Sequence, residues 1–478
     1  MNKLTIFTCL WLGTTCAMGA TSGYAGANTL DSLSLDQAVH IALQNHRSLQ
    51  VSQAALDMAQ GQYRQAMSAF GLQVGLEAGF QRADENRTFS FDGTVMTPSM
   101  DVSSMLGAPP GSVKLPSQAL PMNLDVKLFD RDVTRASVNL NYPLYTGGKK
   151  AAVTAMAQKG VAIAREEQRR TELEVVRDVS RYYHGARLAQ QMEQLTHDAV
   201  ERFQALEDLT DRLYKGASLK VKKTDYLRSR TVTAVSRTLL HEMHYASTLA
   251  REALLNAMGL ALNQPFSLAP ENTSPAYDAA LDTLIADAAL FNPDKQRLEL
   301  AVQAADLKMD EVGSNNKPMV GLEASTYKIW NSYKGGLFND ANNTGWTIGV
   351  GVKWNVFDSG VTKAGQDVTR ANKMKLENQR LLLDSGLALQ IKDDFMRMKR
   401  SREQVQENST AHGFATENRI LHEQAYQEAM VETKDVIEAQ TMESFTGAAL
   451  YRARFELRSA MADLDFRVGR TLKQRLSP

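Results

Sequence analysis

From Gly148 to Tyr214 the chain contains no proline, and apolar residues recur at every third or fourth position: Leu188, Met192, Leu195, Ala199, Phe203, Leu206, Leu209 and Leu213. That spacing marks one face of an α-helix. A helix of ~65 residues runs on the order of 95 Å at ~1.5 Å per residue, too long for the interior of a globular domain. It belongs to a long bundle or tube. The same period returns in Ile391, Phe395, Met398, Arg402 and Val405. Further on, Leu450, Ala453, Leu457, Ala460 and Leu464 alternate three and four apart, the seam of a coiled coil.

Each long helical run follows a similar joint. "VNLNYPLYTGGKK" (138–150) leads into one and "VGVKWNVFDSGVTK" (350–363) into the other. Other pairs keep the same order. "LSLDQAVHIALQNHRSLQ" (33–50) compares with "AALDTLIADAALFNPDKQRLE" (279–299), and "VGLEAGF" (74–80) with "VGLEAST" (320–326). "KKTDYLRSR" (222–230) compares with "ETKDVIEAQ" (432–440), and "NAMGLAL" (256–262) with "FRVGRTL" (466–472). The chain therefore reads as an internal duplication, with one repeat over 28–262 and the other over 279–472.

Each repeat carries two stretches of period-two alternation, predicting strands over 71–81, 136–145, 319–329 and 346–357. One reading is an antiparallel sheet with one wet face. The other is a membrane barrel with an apolar face toward lipid and a polar face toward water. Two facts favour the barrel. The aromatics Tyr142, Tyr145, Trp354 and Phe357 stand where strands meet helices. The opposite face, rich in Gly, Asn and Ser, is too small and polar to fill a core. Residues 84–130, rich in Pro, Gly and Ser, read as a long loop between the first two strands, on the outer side of a barrel.

The N-terminus has the parts of a secretory signal over 1–27: Lys3, the apolar "LTIFTCLWLGTTCAMGA" and the small-x-small "Ala25-Gly26-Ala27". Cys9 and Cys16, the two cysteines, would leave with it, excluding a disulfide framework or thiolate metal site in the mature chain. A lipid anchor at Cys16 would need a leucine-plus-small-residue run where Gly13-Thr14-Thr15 stands. No later segment reaches the ~18 consecutive apolar residues of a membrane helix. Lys plus Arg and Asp plus Glu both number 54, so there is no basic surplus for nucleic acid.

Four strands leave two sheet edges, which lipid cannot satisfy. The barrel reading thus requires closure with further copies: about eight strands from two, or twelve from three.

These residues resemble the TolC-like outer membrane efflux protein family. The resemblance rests on the exported start, "LSLDQAVHIALQNH" with "AALFNPD", and "YPLYTGG" with "WNVFDSG". It also rests on the tip-like "YKGASLKVKKTDYL" with "AYQEAMVETKDVIEAQ". It implies an α+β membrane protein: a homotrimer whose twelve-stranded β-barrel lies in the outer membrane and continues as a helical coiled-coil tunnel through the periplasm. It implies a passive exit duct of a tripartite efflux pump or type I secretion system. A periplasmic adaptor would open the duct, and an inner-membrane RND, ABC or MFS transporter would drive it. No cofactor is implied. A periplasmic coiled-coil scaffold without a pore is the alternative of another class.

By this resemblance the helical tips dock the adaptor, one near 215–225 and the other near 427–435. The first comprises Gly216, Ala217, Ser218, Leu219, Lys220, Lys222, Lys223, Thr224 and Asp225. The second comprises Ala429, Met430, Val431, Glu432, Thr433 and Asp435. Glu423 is the candidate for a periplasmic constriction, beside Ile420. Pro143, Gly147, Gly148, Asp358 and Gly360 form the strand-to-helix joints. The chain departs from the family in three places. His46 stands where proline is usual, the first tip is about three residues longer, and Ala429 replaces the glycine of the second.

No residue set carries catalysis. His241-Glu-Met-His244 is not HExxH and lacks a third ligand nearby. Gly349-Val-Gly351 lies within a strand and cannot open a helix onto phosphate. The doublets Glu166-Glu167 and Asp393-Asp394 read as solvated helix faces.

Overall fold

The computed structural model describes residues 30–129, 131–216, 221–270, 279–331, 343–428 and 430–470. The expected signal segment over 1–27, Ala217, Ser218, Leu219, Lys220 and Ala429 lie outside them. In chain order the elements are β1 (Leu30–Leu33), α1 (Leu35–Asn45), α2 (Arg47–Ser68), β2 (Gln73–Arg82) and β3 (Arg87–Met96). Next come β4 (Met100–Asp101), β5 (Lys114–Leu115), β6 (Ala119–Phe129), β7 (Asp132–Tyr145), α3 (Lys149–Lys215) and α4 (Lys223–Ala257). The remainder are β8 (Phe266–Leu268), α5 (Leu281–Phe291), α6 (Pro293–Gly313), β9 (Met319–Asn331), β10 (Thr344–Lys353), α7 (Val361–Gln427) and α8 (Thr433–Val468).

The chain divides into two compact units. One holds residues up to His46, Val175–Asp278 and Met396–Asp463; the other holds Arg47–Glu174, Ala279–Phe395 and the chain from Leu464. The first unit is chiefly helical. Its core is the seam on α3 and α8, where Ala199, Phe203, Leu206, Leu450, Ala453 and Ala460 are buried. The second unit holds the four-stranded antiparallel sheet, in the order β10-β9-β7-β2.

α3 and α7 are each 67 residues long, on the order of 100 Å. The seam of α7 differs from its sequence reading. Ile391 and Met398 are buried as expected, but Asp394 and Ser401 occupy the buried positions assigned to Phe395 and Arg402. Asp394, read as part of a solvated doublet, is 2% exposed and bonds the Arg467 guanidinium at 2.5 Å. A paired carboxylate can sit in a seam; an unpaired one cannot. Glu166 and Glu167 likewise pair, with Arg169 and Arg297.

The two short helices, α1 and α5, end in the same backbone geometry. α1 ends at His46 with φ −66° and ψ 124°, and α5 ends at Asn292 with φ −67° and ψ 123°. The residue equivalent to Pro293 is therefore Arg47. His46 does not stand in for a proline; it matches the asparagine before it. Two glycines pack on these bends. Gly259 (φ +71°) lies so close to Asn45 that a Cβ would come within 2.8 Å of its carbonyl oxygen, and Gly469 (φ +81°) meets Phe291 in the same way.

The segment 84–130 is not a structureless loop. β3 and β6 pair over ten positions as an antiparallel ribbon, with β4 and β5 paired beyond it. Its Pro- and Gly-rich end is ordered by Asp101, which accepts the N–H (3.0 Å) and hydroxyl (2.5 Å) of buried Ser103. Ser103 Oγ in turn accepts the Val113 N–H at 2.9 Å. Composition predicted a loop because turn residues dominate it; the alternation in 87–96 and 119–129 was the missed signal.

Candidate channel wall, joints and tips

Register sorts the sheet into two unlike faces. Val74, Leu140, Ala324 and Ile348 lie side by side across all four strands, as do Leu76, Val138, Thr326 and Trp346. Tyr142, Leu322 and Val350 form the next row. This apolar face is open: Val74 is 64% exposed, Leu76 77% and Ile348 65%. The other face carries Gly75, Asn139, Ser325 and Thr347 in one row and Gln73, Asn141, Glu323 and Gly349 in the next. It is concave, with Glu77 and Glu323 lining its hollow. Ser325 and Thr347 share a 2.7 Å hydrogen bond.

Further along the polar face, the Tyr327 ring covers Gly345. A Cβ there would meet the ring at 2.7 Å, and the Arg135 guanidinium sits 5.6 Å from the ring centroid. Sequence reading missed this pair because a tyrosine and an arginine on separate strands carry no local signature.

The apolar face has a measurable height. Phe80 and Trp330 flank Thr134 in one row, and Val320 and Val352 form a later one. Ten residues separate Trp330 from Val320. At ~3.4 Å per residue and a tilt near 40°, that is roughly 26 Å, against an apolar band of about 25 Å for outer-membrane barrels. Aromatics border both ends: Phe80 and Trp330 at one, Tyr142, Tyr145, Trp354 and Phe357 at the other. Charge begins on this face at Lys328, one row inside Trp330, with its Nζ 5.3 Å from that ring; beyond Phe80, Arg82 and Asp132 pair at 3.5 Å and Arg131 lies 4.0 Å from Asp132.

The joints sit at the opposite end of the sheet from this charged collar. Pro143, in a central strand, falls at a register shift between Pro143 and Tyr145 where pairing with β2 has ended. This is where a residue without an N–H can be accommodated. β7 then turns through Gly147 (φ +62°) and Gly148 (φ +93°). The second joint turns through Ser359 (φ +54°) and Gly360 (φ +87°). β10 stops at Lys353, short of the predicted 357, so Trp354–Phe357 form a link and not a strand. Trp354 anchors that link by donating its indole N–H to the Asn316 carbonyl (3.0 Å).

Thr146 Oγ1 accepts the Lys150 N–H (3.1 Å), capping α3. Asp358 accepts the Thr362 N–H (2.9 Å) and hydroxyl (2.5 Å) and the Gly360 N–H (3.0 Å), capping α7. The Thr362 hydroxyl above all, with these amides, holds the Asp358 carboxyl below the usual range. Thr146 was missed because the glycines drew the reading.

The tips also repeat. The Lys222 N–H donates to Asp225 Oδ2 (3.0 Å) and the Glu432 N–H to Asp435 Oδ2 (2.9 Å), so each descending helix opens with an Asp reaching back to its cap. Gly216 closes α3 by donating to Arg212 O (2.9 Å). Lys222, Lys223, Thr224, Met430 and Glu432 are exposed and Val431 is half-buried. Thr433 does not belong on an outward surface. It is 3% exposed and bonds the Tyr426 hydroxyl (3.0 Å), which also reaches Thr210 (3.4 Å).

Glu423 is not an isolated carboxylate. Arg419 donates to one oxygen (2.6 Å) and Gln440 to the other (2.9 Å). Arg419 also reaches Glu443 (2.8 Å), as does Arg202 (3.3 Å). The cluster joins α3, α7 and α8 with two cations and two anions. Only Arg419–Glu423, at helical spacing, was legible locally.

His244 pairs with Glu193 (2.7 Å), while His241 is exposed. Among the described residues, His197, Asp198 and Glu201 form one group with metal-ligand spacing, on a single helix surface. No helix among them is long and apolar enough to cross a membrane.

A sheet with a lipid-height apolar face, a polar concave face and two 67-residue helices is a specific combination, and the family comparison agrees with it. Residues 38–260 match the family model described as outer membrane efflux protein. The fold is shared with VceC of Vibrio cholerae (TM-score 0.70, 17% identity, covering 91% of this chain and 96% of that one). It is likewise shared with the CmeC outer membrane channel of Campylobacter jejuni (0.73, 15%, 91% and 85%). The open-state MtrE outer membrane channel of Neisseria gonorrhoeae is also similar (0.68, 14%, 92% and 90%). No curated protein sequence matches the chain. Among the described residues, the four-stranded sheet leaves β2 and β10 as its edges.

Proposed function

We propose that the chain is a passive exit channel of the outer membrane, acting as a homotrimer in a tripartite efflux pump or type I secretion system. The observation that carries this reading is the sheet whose open apolar face matches hydrocarbon height while its reverse is polar. A water-borne scaffold would gain nothing from such a face and would aggregate through it. Three sheets joined edge to edge through β2 and β10 give twelve strands and no free edge.

The mechanism involves no bond chemistry. Asn139, Asn141, Ser325, Thr347 and the glycines beside them line a water path, so cargo crosses without meeting lipid. Long helices extend that path into the periplasm. Their tips, through Lys222, Lys223, Thr224, Met430 and Glu432, offer an adaptor a mixed-charge surface that sets encounter rate and partner choice. Adaptor binding favours the open arrangement over the closed one. An inner-membrane transporter supplies the energy. The likeness to the MtrE open state supports the channel reading.

Purified protein in planar bilayers tests it. Trimers giving discrete conductance steps are expected; a mature chain found as a soluble monomer would sink the proposal.

A further inference from the structure

The β3/β6 ribbon is amphipathic. Phe89 faces Val126, Gly93 faces Met122 and Val95 faces Leu120, so these side chains share one face with Leu124. Ser90, Asp92, Asn123 and Asp125 share the other. The apolar face is open in the protomer: Phe89 is 55% exposed, Leu120 51% and Met122 46%. A two-stranded ribbon with an uncovered apolar face is marginal in water.

Lipid is a poor candidate for the cover. The sheet below already spans the ~25 Å of an outer-membrane apolar band, and the Arg82, Asp132 and Arg131 collar separates that band from the ribbon. The ribbon therefore stands outside the hydrocarbon. It also follows directly on β2, an edge strand of the sheet and, in the trimeric channel reading, a strand that meets a neighbouring copy. In a cyclic trimer the same ribbon on each neighbouring copy offers an apolar surface of matching size.

We infer that the apolar ribbon faces of neighbouring copies pack together around the symmetry axis, forming a small protein cap over the outer mouth of the channel. The inference rests on the trimeric channel reading. It gives the 84–130 segment two roles, adding contact between protomers and narrowing the exit.

The two cysteines lie in the signal segment, which makes cysteine cross-linking a clean test. Met122→Cys places a thiol on the apolar face and Asn123→Cys places one on the polar face of the same strand. Outer-membrane trimers of each variant are treated with a short bis-maleimide and run on denaturing gels. Met122→Cys should give a covalent dimer with one protomer left over, and Asn123→Cys should give monomer. Equal cross-linking of both, or none at Met122 in trimers shown intact by native mass, overturns the inference alone. A chain that never trimerises overturns it together with the channel reading.

Discussion

Thr146 and Asp358 occupy the same position in two joints: each accepts the amide N–H four residues ahead and so starts a 67-residue helix. The residue types differ, but the backbone does not, since each is followed by two positive-φ residues. The two joints share the turn, not the side chain.

Thr146→Ala should therefore cost about 1 kcal/mol of stability, the usual value of a lost N-cap, and Thr146→Ser should restore it. Gly147→Val should be worse. Besides φ +62°, its Cβ would lie 2.7 Å from Lys317 Cβ. Gly148→Ala, where φ is +93° but the space is open, should fall between. Thermal unfolding of the trimer in detergent ranks the series.

Leu140 and Asn139 are neighbours in β7 on opposite faces of the sheet. Leu140→Arg places a charge near the middle of the apolar band and should destabilise the barrel by roughly 2–4 kcal/mol. Asn139→Arg should assemble normally and alter conductance. Equal tolerance of both changes, read as trimer yield in membranes, would reverse the facing assignment.

Glu443 is buried between Arg419 and Arg202. Glu443→Ala leaves cations without their partner and should cost about 3–5 kcal/mol. Arg419→Met with Glu443→Leu should cost less than the sum of the single changes. Chemical unfolding followed by far-UV circular dichroism, arranged as a double-mutant cycle, measures the coupling.

His184 stands edge-on to Tyr183, with ring centroids 5.4 Å apart. Burial pushes its imidazole down from 6.5 to about 3, with Arg458 and Arg187 adding repulsion. The folded state thus binds fewer protons here than the unfolded one. The contribution is intact above pH 6.5 and is lost as pH falls from 6.5 toward 3, at up to ~1.4 kcal/mol per pH unit. His184→Gln should flatten that part of the acid dependence of the melting temperature; an unchanged slope would count against it.

The fold was largely legible because its main signals are local and long: proline-free heptads, period-two strands and paired joints. What escaped notice depends on partners distant in sequence. Asp394 reads as surface until Arg467, on another helix, neutralises it. Thr433 reads as tip until Tyr426 covers it. The 84–130 ribbon was hidden by its composition, since prolines and glycines at its end outweighed the alternation on either side. The channel wall was legible by parity alone, because a strand has only two faces.

The unpaired edges of β2 and β10 have a consequence in time. Until its partners arrive, an exported protomer carries two open strands and a greasy face through water. Each edge accepts any strand of suitable register, including the wrong one. Productive assembly is therefore a competition between correct and incorrect edge pairing, and both rise with local protomer concentration. A burst of synthesis should favour trimers or aggregates according to which edge is met first.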